Sequence, residues 1–500
     1  MKQASPGAPS ALADRKALLF ALFVLVALAL RATTFGDTNR HADETFYFLV
    51  GQRMHEGLLP YVDVWDRKPL GLFLIYWLIA GVSHSVLAYQ LVACAMAGAT
   101  ALVIARLVAH WGNARGGLFA GLAYLFAIGP FEGITGQAPD FYNLLIASAA
   151  LLLSHDRERL LTGQAGGRTW GAMALCGLAL TIKQTTLFES AWFGLFALFC
   201  LHRGGAPLGR IAGFATRACA LGALPTLAIA AFYWQAGHWA EFWHAMVTSN
   251  LNKLPEGGAG WRVLGIGLRA IMVLLPAAAG LALGGERPGA RLFVGGWVAA
   301  AFAGFAAVPN AYAHYLLPVM VPLSVAAGLF LSRVRFRFVI VLVIALYALM
   351  WDKPDRRAWT RGSIESMAEM ARVIRAHDGG GGLLVYEGPH YLYALAGKRF
   401  LSPLVFPHHF NHAIENNVSH LDTRAEIDRV LSRWPGVIVM TRHPRSLPVN
   451  AYVRGRVLAY ARAHCASRQV VTLREDHNLI PVVIFGDCGP GQRAGIPAGQ

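Results

Sequence analysis

The stretch "HADETFYFLVGQRMHEGLLPYVDVWDRKP", residues 41–69, places several acidic and basic side chains shortly after a long apolar run. Asp43, Glu44 and Lys68 all stand within it. The preceding run, residues 16–33, is nearly long enough to cross the hydrocarbon core of a bilayer, which takes about 20 apolar residues. The stretch therefore indicates a membrane protein with a charged segment close to the membrane surface.

The composition of the whole chain supports an integral membrane protein. Of its 500 residues, 55% are hydrophobic and 14% are charged, and the mean hydropathy is +0.44. Soluble domains usually carry about 25% charged residues. The formal net charge of +16 could indicate nucleic-acid binding, but most Lys and Arg residues lie in short loops between apolar runs, as the positive-inside rule predicts. We therefore expect no nucleic-acid partner.

Apolar runs predict a polytopic α-helical protein with about eleven transmembrane helices. A further run, residues 69–82, is short and follows the Lys68-Pro69 pair, so it could span the bilayer or lie in the interface as a juxtamembrane helix. The eleven runs lie near residues 16–33, 86–109, 115–131, 139–154, 169–183, 185–201, 214–236, 262–283, 290–308, 315–332 and 336–351.

The distribution of basic residues favours the interfacial alternative for residues 69–82. With a cytoplasmic N-terminus and this run in the interface, the Arg-containing loops 155–168 and 333–337 fall inside, and the loops 132–138 and 309–314, which lack Lys and Arg, fall outside. The first run has no signal-peptide cleavage site, so we expect an uncleaved helix. The expected location is the bacterial cytoplasmic (inner) membrane, with a periplasmic C-terminal part.

The pattern predicts a transmembrane module over residues 1–351, with an outer loop at 34–85, and a small extracytoplasmic α/β domain over 352–488. The segments "GLLVYEG", "GVIVMTRHP", "QVVTL" and "IPVVIFGD" are typical of short buried strands, and "SIESMAEMARVIRAH" has helical spacing with a start near Ser363 and Ser366. "DGGGG", residues 378–382, predicts a helix stop. Cys465 and Cys488 could form a disulfide in an oxidising compartment. Residues 489–500 are predicted to be a disordered tail.

Ionisable side chains near the predicted outer ends of the spans suggest a polar site. Each one alone could equally be an interface anchor, because long charged side chains extend to the water. Acids, cations and histidine in one water-accessible pocket would suit deprotonation of a hydroxyl and stabilisation of a departing phosphate. The candidates are Asp43, Glu44, Lys68, Arg53, Asp140, Lys183, His314 and Tyr315, to which Glu132 and Glu189 could be added.

Four segments resemble those of the GT-C superfamily of lipid-phosphate-sugar-dependent glycosyltransferases, specifically family 39 and family 83 type proteins such as protein O-mannosyltransferases and lipid A aminoarabinose transferases. They are "DETFYFLVGQRMHEGLLPYVDVWDRKPLG", "GQAPDFYNLL", "GLALTIKQTTLF" and "HYLLPVMVPLSVAAG". The resemblance covers about residues 17–335. It implies that residues 1–351 form the catalytic module, that Asp43 is the catalytic acid-base residue, and that Lys68 and Tyr315 face the lipid phosphate. Asp140 matches a position where relatives carry Asp or Glu.

The resemblance implies an inverting transfer of a hexose or pentose from a polyprenyl-phosphate donor to a lipid, polysaccharide or protein acceptor of the cell envelope, at a periplasmic active site. The sequence identifies no cofactor, and it does not decide whether the reaction requires a divalent metal ion. Relatives often carry Glu before the Lys-Pro pair, whereas this chain has Asp66-Arg67. The histidine-rich segment at 406–420 could bind zinc or be a loop that covers the active site.

Two other classes of function compete with a glycosyltransferase. A polytopic transporter or flippase for a lipid-linked sugar would also place charged groups among many spans. Transporters usually contain internal repeats with sites at mid-membrane, whereas here the two halves show no obvious similarity and the charges cluster near one face. An outer-side sensor that binds a ligand through its α/β domain is the third hypothesis.

Overall fold

The computed structural model describes residues 8–255, 258–284, 287–351 and 355–490. The chain is mostly helical and divides into two compact units. The first comprises Met1–Ala32, Gln90–Ile229 and Pro255–Lys353, and the second comprises Thr33–Tyr89, Ala230–Leu254 and Pro354–Gln500.

The first unit contains most of the apolar helices, and each of the eleven predicted runs coincides with one of them. Among the described residues, six segments are long and apolar enough to cross a membrane: Arg15–Thr34, Val86–Trp111, Ala114–Phe131, Leu208–Gln235, Gly260–Leu283 and Ala313–Leu331. The predicted polytopic α-helical fold is therefore confirmed, and the chain is a multi-pass membrane protein. The helices are Ala8–Arg31, Val86–Trp111, Ala114–Ala127, Ala138–Leu160, Gly167–Leu180, Thr186–Arg203, Leu208–Gln235, Ala259–Leu283, Ala290–Ala306, Leu317–Leu331 and Arg337–Met350, with short 3-10 turns at Ala32–Thr34, Gly129–Phe131 and Ala313–Leu316.

Helix Leu317–Leu331 lies at the centre of the first unit, where nearly all of its side chains are buried. It packs against helix Ala259–Leu283 at Gly280, where an added Cβ would lie 1.8 Å from the Ala326 carbonyl oxygen. Helix Ala114–Ala127 approaches helix Val86–Trp111 equally closely: a Cβ added at Gly117 would lie 2.2 Å from the Ala105 carbonyl oxygen. Small residues at such crossings let helix backbones come close, which is how helices associate in lipid without a hydrophobic driving force.

The second unit joins the segment after the first span to the C-terminal α/β part. Its sheet has the order β1-β2-β4-β3, with β1 Leu383–Val385 parallel to β2 Val437–Thr441 and with β4 Asn478–Cys488 antiparallel to both β2 and β3 Cys465–Glu475. One apolar core includes Trp65, Ile427, Val457 and Phe485. The helices are Ala42–Met54, Leu70–Val82, Trp239–Trp243, Ser249–Leu251, Arg356–Ala376, Leu392–Leu395, His408–Asn411, Thr423–Ser432 and Ala451–His464, with a π turn at His244–Thr248 and a 3-10 turn at Ala413–Glu415.

Strands are present at all four predicted positions of the C-terminal part, and "DGGGG" connects helix Arg356–Ala376 to β1. The prediction that "QVVTL" is a buried strand is wrong, because β3 lies at the edge of the sheet and most of its residues are exposed or half-buried. The predicted disulfide between Cys465 and Cys488 is also confirmed; these residues face each other in the β3–β4 ladder. Residues 69–82 form helix Leu70–Val82, and its interfacial position stays a prediction. Most of the predicted tail, residues 491–500, lies outside the described residues.

The start predicted for helix Arg356–Ala376, near Ser363 and Ser366, is wrong. The helix begins at Arg356 because the Asp355 carbonyl oxygen accepts hydrogen bonds from the backbone amides of Ala358 and Trp359, at 2.9 and 3.1 Å. Ser363 lies inside the helix, and its hydroxyl donates to the Asp37 carboxylate at 2.7 Å instead of capping the helix.

Candidate functional site

Helix Ala42–Met54 carries the two predicted acids in its first turn. His41 precedes the helix, and its Nδ1 accepts a hydrogen bond from the Asp43 backbone amide at 3.2 Å. Glu44 is fully buried, whereas the Asp43 side chain keeps a quarter of its surface exposed. Acids in the first turn also stabilise a helix by opposing its dipole. This structural role is available to both residues, but only Asp43 remains open to a reacting group.

Asp43 is held by two side chains of the second unit. Its Oδ2 accepts a hydrogen bond from the Tyr47 hydroxyl at 3.0 Å and lies 3.6 Å from Lys68 Nζ. The same ammonium lies 5.0 Å from the centre of the Tyr47 ring. Burial, followed by the nearby charge of Asp43, raises the pKa of Tyr47 well above its ordinary value. Tyr47 therefore stays a hydrogen-bond donor to Asp43 at physiological pH.

The backbone around Lys68 is fixed by local hydrogen bonds. The Asp66 carboxylate accepts from the Lys68 amide at 3.0 Å, and the buried Tyr61 hydroxyl donates to the Lys68 carbonyl at 2.8 Å. Pro69 follows and precedes helix Leu70–Val82. The charged turn between helices Ala42–Met54 and Leu70–Val82 thus presents Lys68 to Asp43 in a defined position.

Two further cations belong to this group, and sequence reasoning did not identify them as site residues. Arg67 pairs with Glu415 and donates from Nε to the Ser249 hydroxyl at 2.9 Å. Lys253 is partly buried, and burial together with the positive charges of Arg67 and Lys68 lowers its pKa. The available signal for Lys253 was that it is the only Lys or Arg in the predicted outer loop 237–261.

The structure places Arg53 at the other end of helix Ala42–Met54 from Asp43. Its Nη1 contacts the Glu56 carboxylate at 2.8 Å, its Nη2 donates to the Lys398 carbonyl at 2.8 Å, and its guanidinium lies over the Phe400 ring. Arg53 therefore attaches the helix to the C-terminal part. A phosphate contact for this residue stays a prediction.

In the first unit, Asp140 is 3% exposed and pairs with an arginine that the sequence did not single out. Arg31, which is 1% exposed at the end of the first helix, contacts Asp140 Oδ1 at 3.1 Å and donates to the Gly133 carbonyl at 2.7 Å. The pair joins the first helix to the start of helix Ala138–Leu160. A buried ion pair of this kind positions backbone segments, so Asp140 is suited to a supporting role.

Three other predicted residues lie together in the first unit. Lys183 Nζ lies 5.4 Å from the centre of the Tyr315 ring, and the His314 ring contacts the same ring edge to face, with centroids 4.5 Å apart. His314 Nδ1 lies 3.0 Å from Glu132 Oε2. An imidazole and a carboxylate are suitable metal ligands, so this pair could contribute two ligands to a divalent ion. Glu189 has a different hydrogen-bond partner from these residues. It is buried and accepts a hydrogen bond from Trp297 Nε1 at 2.6 Å.

The histidine-rich segment has structural contacts. His409 packs edge to face against Trp65, and His412 Nε2 lies 3.0 Å from the Leu447 carbonyl. Within the described residues, this segment does not gather three ligand-type side chains at one point. The contacts favour a packing role over a zinc site.

The predicted resemblance is confirmed at the level of the fold, because solved structures of the expected kind have a similar fold. The chain resembles ArnT from Cupriavidus metallidurans bound to undecaprenyl phosphate, with a TM-score of 0.59 and 15% identity over 95% of this chain and 99% of that chain. It also resembles the apo oligosaccharyltransferase of Archaeoglobus fulgidus, with a TM-score of 0.53 and 12% identity over 85% and 69% of the two chains.

A further similar structure is the Archaeoglobus fulgidus oligosaccharyltransferase AglB in complex with an inhibitory peptide and a dolichol-phosphate. Its TM-score is 0.50, at 12% identity over 85% of this chain and 69% of that chain. No family model and no curated protein sequence matches the chain.

Proposed function

We propose that the protein is a glycosyltransferase that moves a monosaccharide from a polyprenyl-phosphate donor to an acceptor at the membrane surface. The observation that carries this proposal is the group formed by Asp43, Lys68 and Tyr47, in which a partly exposed carboxylate lies 3.6 Å from an ammonium. The fold is consistent with this reaction, since the similar structures include a transferase bound to undecaprenyl phosphate and an oligosaccharyltransferase with a dolichol-phosphate.

In the proposed reaction, an acceptor hydroxyl oxygen forms a bond to the anomeric carbon while the bond from that carbon to the donor phosphate oxygen breaks. Asp43 takes the hydroxyl proton, and the departing phosphate keeps the bonding electron pair. Attack from the side opposite the phosphate inverts the anomeric configuration. Tyr47 orients the Asp43 carboxylate through its hydrogen bond. If the acceptor is itself an ionised phosphate, Asp43 has no proton to take and instead stabilises positive charge on the sugar.

The phosphate requires cations, and the second unit supplies them. Lys68 is the primary contact, with Arg67 and Lys253 adding positive charge. Electrostatic stabilisation of a leaving group is worth most where the groups are fixed before the reaction, and the Lys68 backbone is fixed by Asp66 and Tyr61. In the first unit, we assign Lys183, His314 and Tyr315 to the lipid-phosphate donor and Asp140 to support of the site. A divalent ion bound through His314 and Glu132 would add positive charge within the first unit.

We place the reaction on the periplasmic side of a bacterial inner membrane, with the N-terminus in the cytoplasm. The distribution of charge among the loops supports this orientation, because the positive-inside rule assigns the Arg-containing loops to the cytoplasm. An outer site lacks a nucleotide-sugar pool, which favours a donor that is carried by a membrane lipid. The acceptor is a lipid, polysaccharide or protein of the cell envelope.

Asp43→Asn tests the proposal because it keeps the shape of the side chain but removes the base and its charge. We expect transfer from a polyprenyl-phosphate sugar to fall by roughly 10²- to 10⁴-fold, with little change in donor binding. Glu369→Gln is the matched control, since this carboxylate lies on the surface of helix Arg356–Ala376 and pairs with Arg372 on the same helix. Unimpaired transfer by folded Asp43→Asn protein would remove the centre of the proposal, whereas wild-type protein that catalyses no transfer would favour a transporter.

A further inference from the structure

The C-terminal α/β part contacts the first turn of the helix that carries the proposed catalytic carboxylate, and both segments belong to the second unit. His390 Nε2 lies 3.2 Å from the hydroxyl oxygen of Thr45, which stands shortly after Asp43 in helix Ala42–Met54. Thr45 and His390 are both buried. The His390 ring also packs edge to face against Phe46, with centroids 5.5 Å apart. The proposed reaction uses neither Thr45 nor His390.

The position of His390 follows from the sheet. The chain leaves β1 at Val385. The buried Glu387 carboxylate then accepts hydrogen bonds from the backbone amides of Arg445 and Ser446, at 2.8 and 3.2 Å. These bonds tie the segment after β1 to the segment after β2, which is the neighbouring parallel strand. His390 therefore reaches the helix from a fixed part of the α/β fold.

The Thr45 hydroxyl has hydrogen-bond contacts on two sides. Opposite His390 Nε2, the carbonyl oxygens of His41 and Ala42 lie 3.1 and 3.2 Å from it. Carbonyl oxygens only accept, so the single hydroxyl proton must be directed towards them. The contact with the ring is then attractive only if Nε2 carries a hydrogen and donates it to Thr45. Burial lowers the pKa of His390 to about 3, so the ring is neutral at physiological pH and has the Nε2–H tautomer.

These hydrogen bonds end on His41 and Ala42, the residues that precede Asp43. His41 also accepts a hydrogen bond from the Asp43 backbone amide through Nδ1, at 3.2 Å, and its carbonyl accepts from the Thr45 amide at 3.3 Å. His390 therefore helps to hold the backbone from which the Asp43 side chain projects. A general base must lie within hydrogen-bond distance of the proton that it takes, and a misplacement of about 1 Å can cost about 10²-fold in rate.

We propose that His390 is a positioning residue for Asp43: it donates a hydrogen bond to Thr45 and thereby holds the first turn of helix Ala42–Met54 in the geometry that transfer requires. His390 acts through Thr45 and the backbone, so it takes no proton itself. The C-terminal part thus supports the catalytic carboxylate. This assignment rests on the proposed function, because His390 acts through Asp43.

Substitutions at Thr45 and His390 test the proposal in the full chain in nanodiscs, by single-turnover transfer from a labelled lipid-linked sugar and by the affinity for undecaprenyl phosphate. Thr45→Val keeps the shape but removes the hydroxyl, and we expect turnover to fall by about tenfold with donor affinity unchanged. Thr45→Ser keeps the hydroxyl and should retain most of the turnover. His390→Phe keeps a ring against Phe46 but removes the donor, and it should act like Thr45→Val.

Tyr391→Phe is the matched control. The Tyr391 hydroxyl accepts a hydrogen bond from Gln52 Nε2 at 3.1 Å, so this variant also loses a hydrogen bond between the same helix and the same segment of the C-terminal part. The lost bond lies at the far end of the helix from Asp43. We therefore expect Tyr391→Phe protein to have the turnover of wild type, and thermal unfolding reports whether each variant is folded.

A double-variant cycle separates a positioning role from a general structural one. If His390 and Thr45 act through Asp43, Thr45→Val should cause no further loss of turnover in Asp43→Asn protein. A further tenfold loss there, an equal loss in Tyr391→Phe, or reduced donor affinity in folded Thr45→Val protein would overturn the positioning role. Wild-type turnover in folded Thr45→Val and His390→Phe, with transfer lost in Asp43→Asn, would refute this role alone. Unimpaired transfer by Asp43→Asn would refute the proposed function and the role of His390 with it.

Discussion

Lys68→Met should weaken both donor binding and turnover, because it removes the cation that lies nearest to Asp43. Methionine keeps an unbranched side chain over the Tyr47 ring, so mainly the charge is lost. At 3.6 Å from Asp43 Oδ2, the ammonium has a gross Coulomb attraction of roughly 5 kcal/mol at an effective dielectric constant of about 20. Both side chains are partly exposed, and solvent screening reduces the net contribution to stability to about 1 kcal/mol or less.

The effect on the donor should be larger than the effect on folding. A hydrogen bond from a charged group is worth roughly 1.5–3 kcal/mol, which predicts that donor affinity falls by about 10- to 100-fold. Negative charge on the phosphate grows as the sugar departs, so turnover should fall by a further factor of about 10². Asp43→Asn should lower turnover with little change in donor affinity. The two variants are therefore distinguished by donor affinity, which only Lys68→Met should reduce.

The assay measures the affinity for undecaprenyl phosphate by calorimetry in nanodiscs and the rate of a single turnover with a labelled lipid-linked sugar. Lys398→Met is the matched control, since the Lys398 ammonium pairs with Asp378 in the C-terminal part. Thermal unfolding reports whether each variant is folded. Lys68→Met protein that is folded and has the affinity and turnover of the control would refute the assignment of Lys68 to the phosphate.

Three further predictions concern stability and topology. His390 is buried, and burial lowers its pKa to about 3; the charge of Asp43 raises this pKa and that of His408 lowers it, both by less than burial does. Because the unfolded chain binds a proton at this residue below about pH 6.5 and the folded chain does not, stability should fall by about 2 kcal/mol between pH 8 and pH 5. His390→Asn should remove this part of the pH dependence of unfolding and leave the part that His409 contributes. Arg31→Met should cost about 3–5 kcal/mol by removing the buried guanidinium that pairs with Asp140, and the double variant with Asp140→Asn should recover much of this loss in thermal unfolding. Equal losses in both variants would contradict the ion-pair argument. A cysteine placed at Lys183 should react with a membrane-impermeant reagent in intact cells and one placed at Arg335 should not, and the reverse result would overturn the predicted orientation.

The positions of the helices could be predicted from the sequence because a membrane span is a local property. An apolar run must satisfy its backbone hydrogen bonds within itself, so each predicted run coincides with a helix whatever its neighbours are. The positions of the four C-terminal strands were predicted for a similar reason, since short apolar runs between turn residues indicate strands. The exposure of β3 was not predicted, because its place at the edge of the sheet depends on how the strands pair. The pairing of Cys465 with Cys488 could be predicted because these two cysteines stand at the outer ends of the last two strands.

The tertiary structure decided which side chains meet. Arg31 and Asp140 are 109 positions apart, and nothing local in either segment indicates the other. Lys253 and Arg67 belong to distant segments, and their mutual effect depends on packing within the second unit. The sequence marked Asp43 and Lys68 through the charges that follow the first span, and the hydrogen bond from Tyr47 to Asp43 is a local contact within one helix. The approach of Lys68 to Asp43 and the hydrogen bond from Arg53 to the Lys398 carbonyl exist only because tertiary packing brings separate segments together.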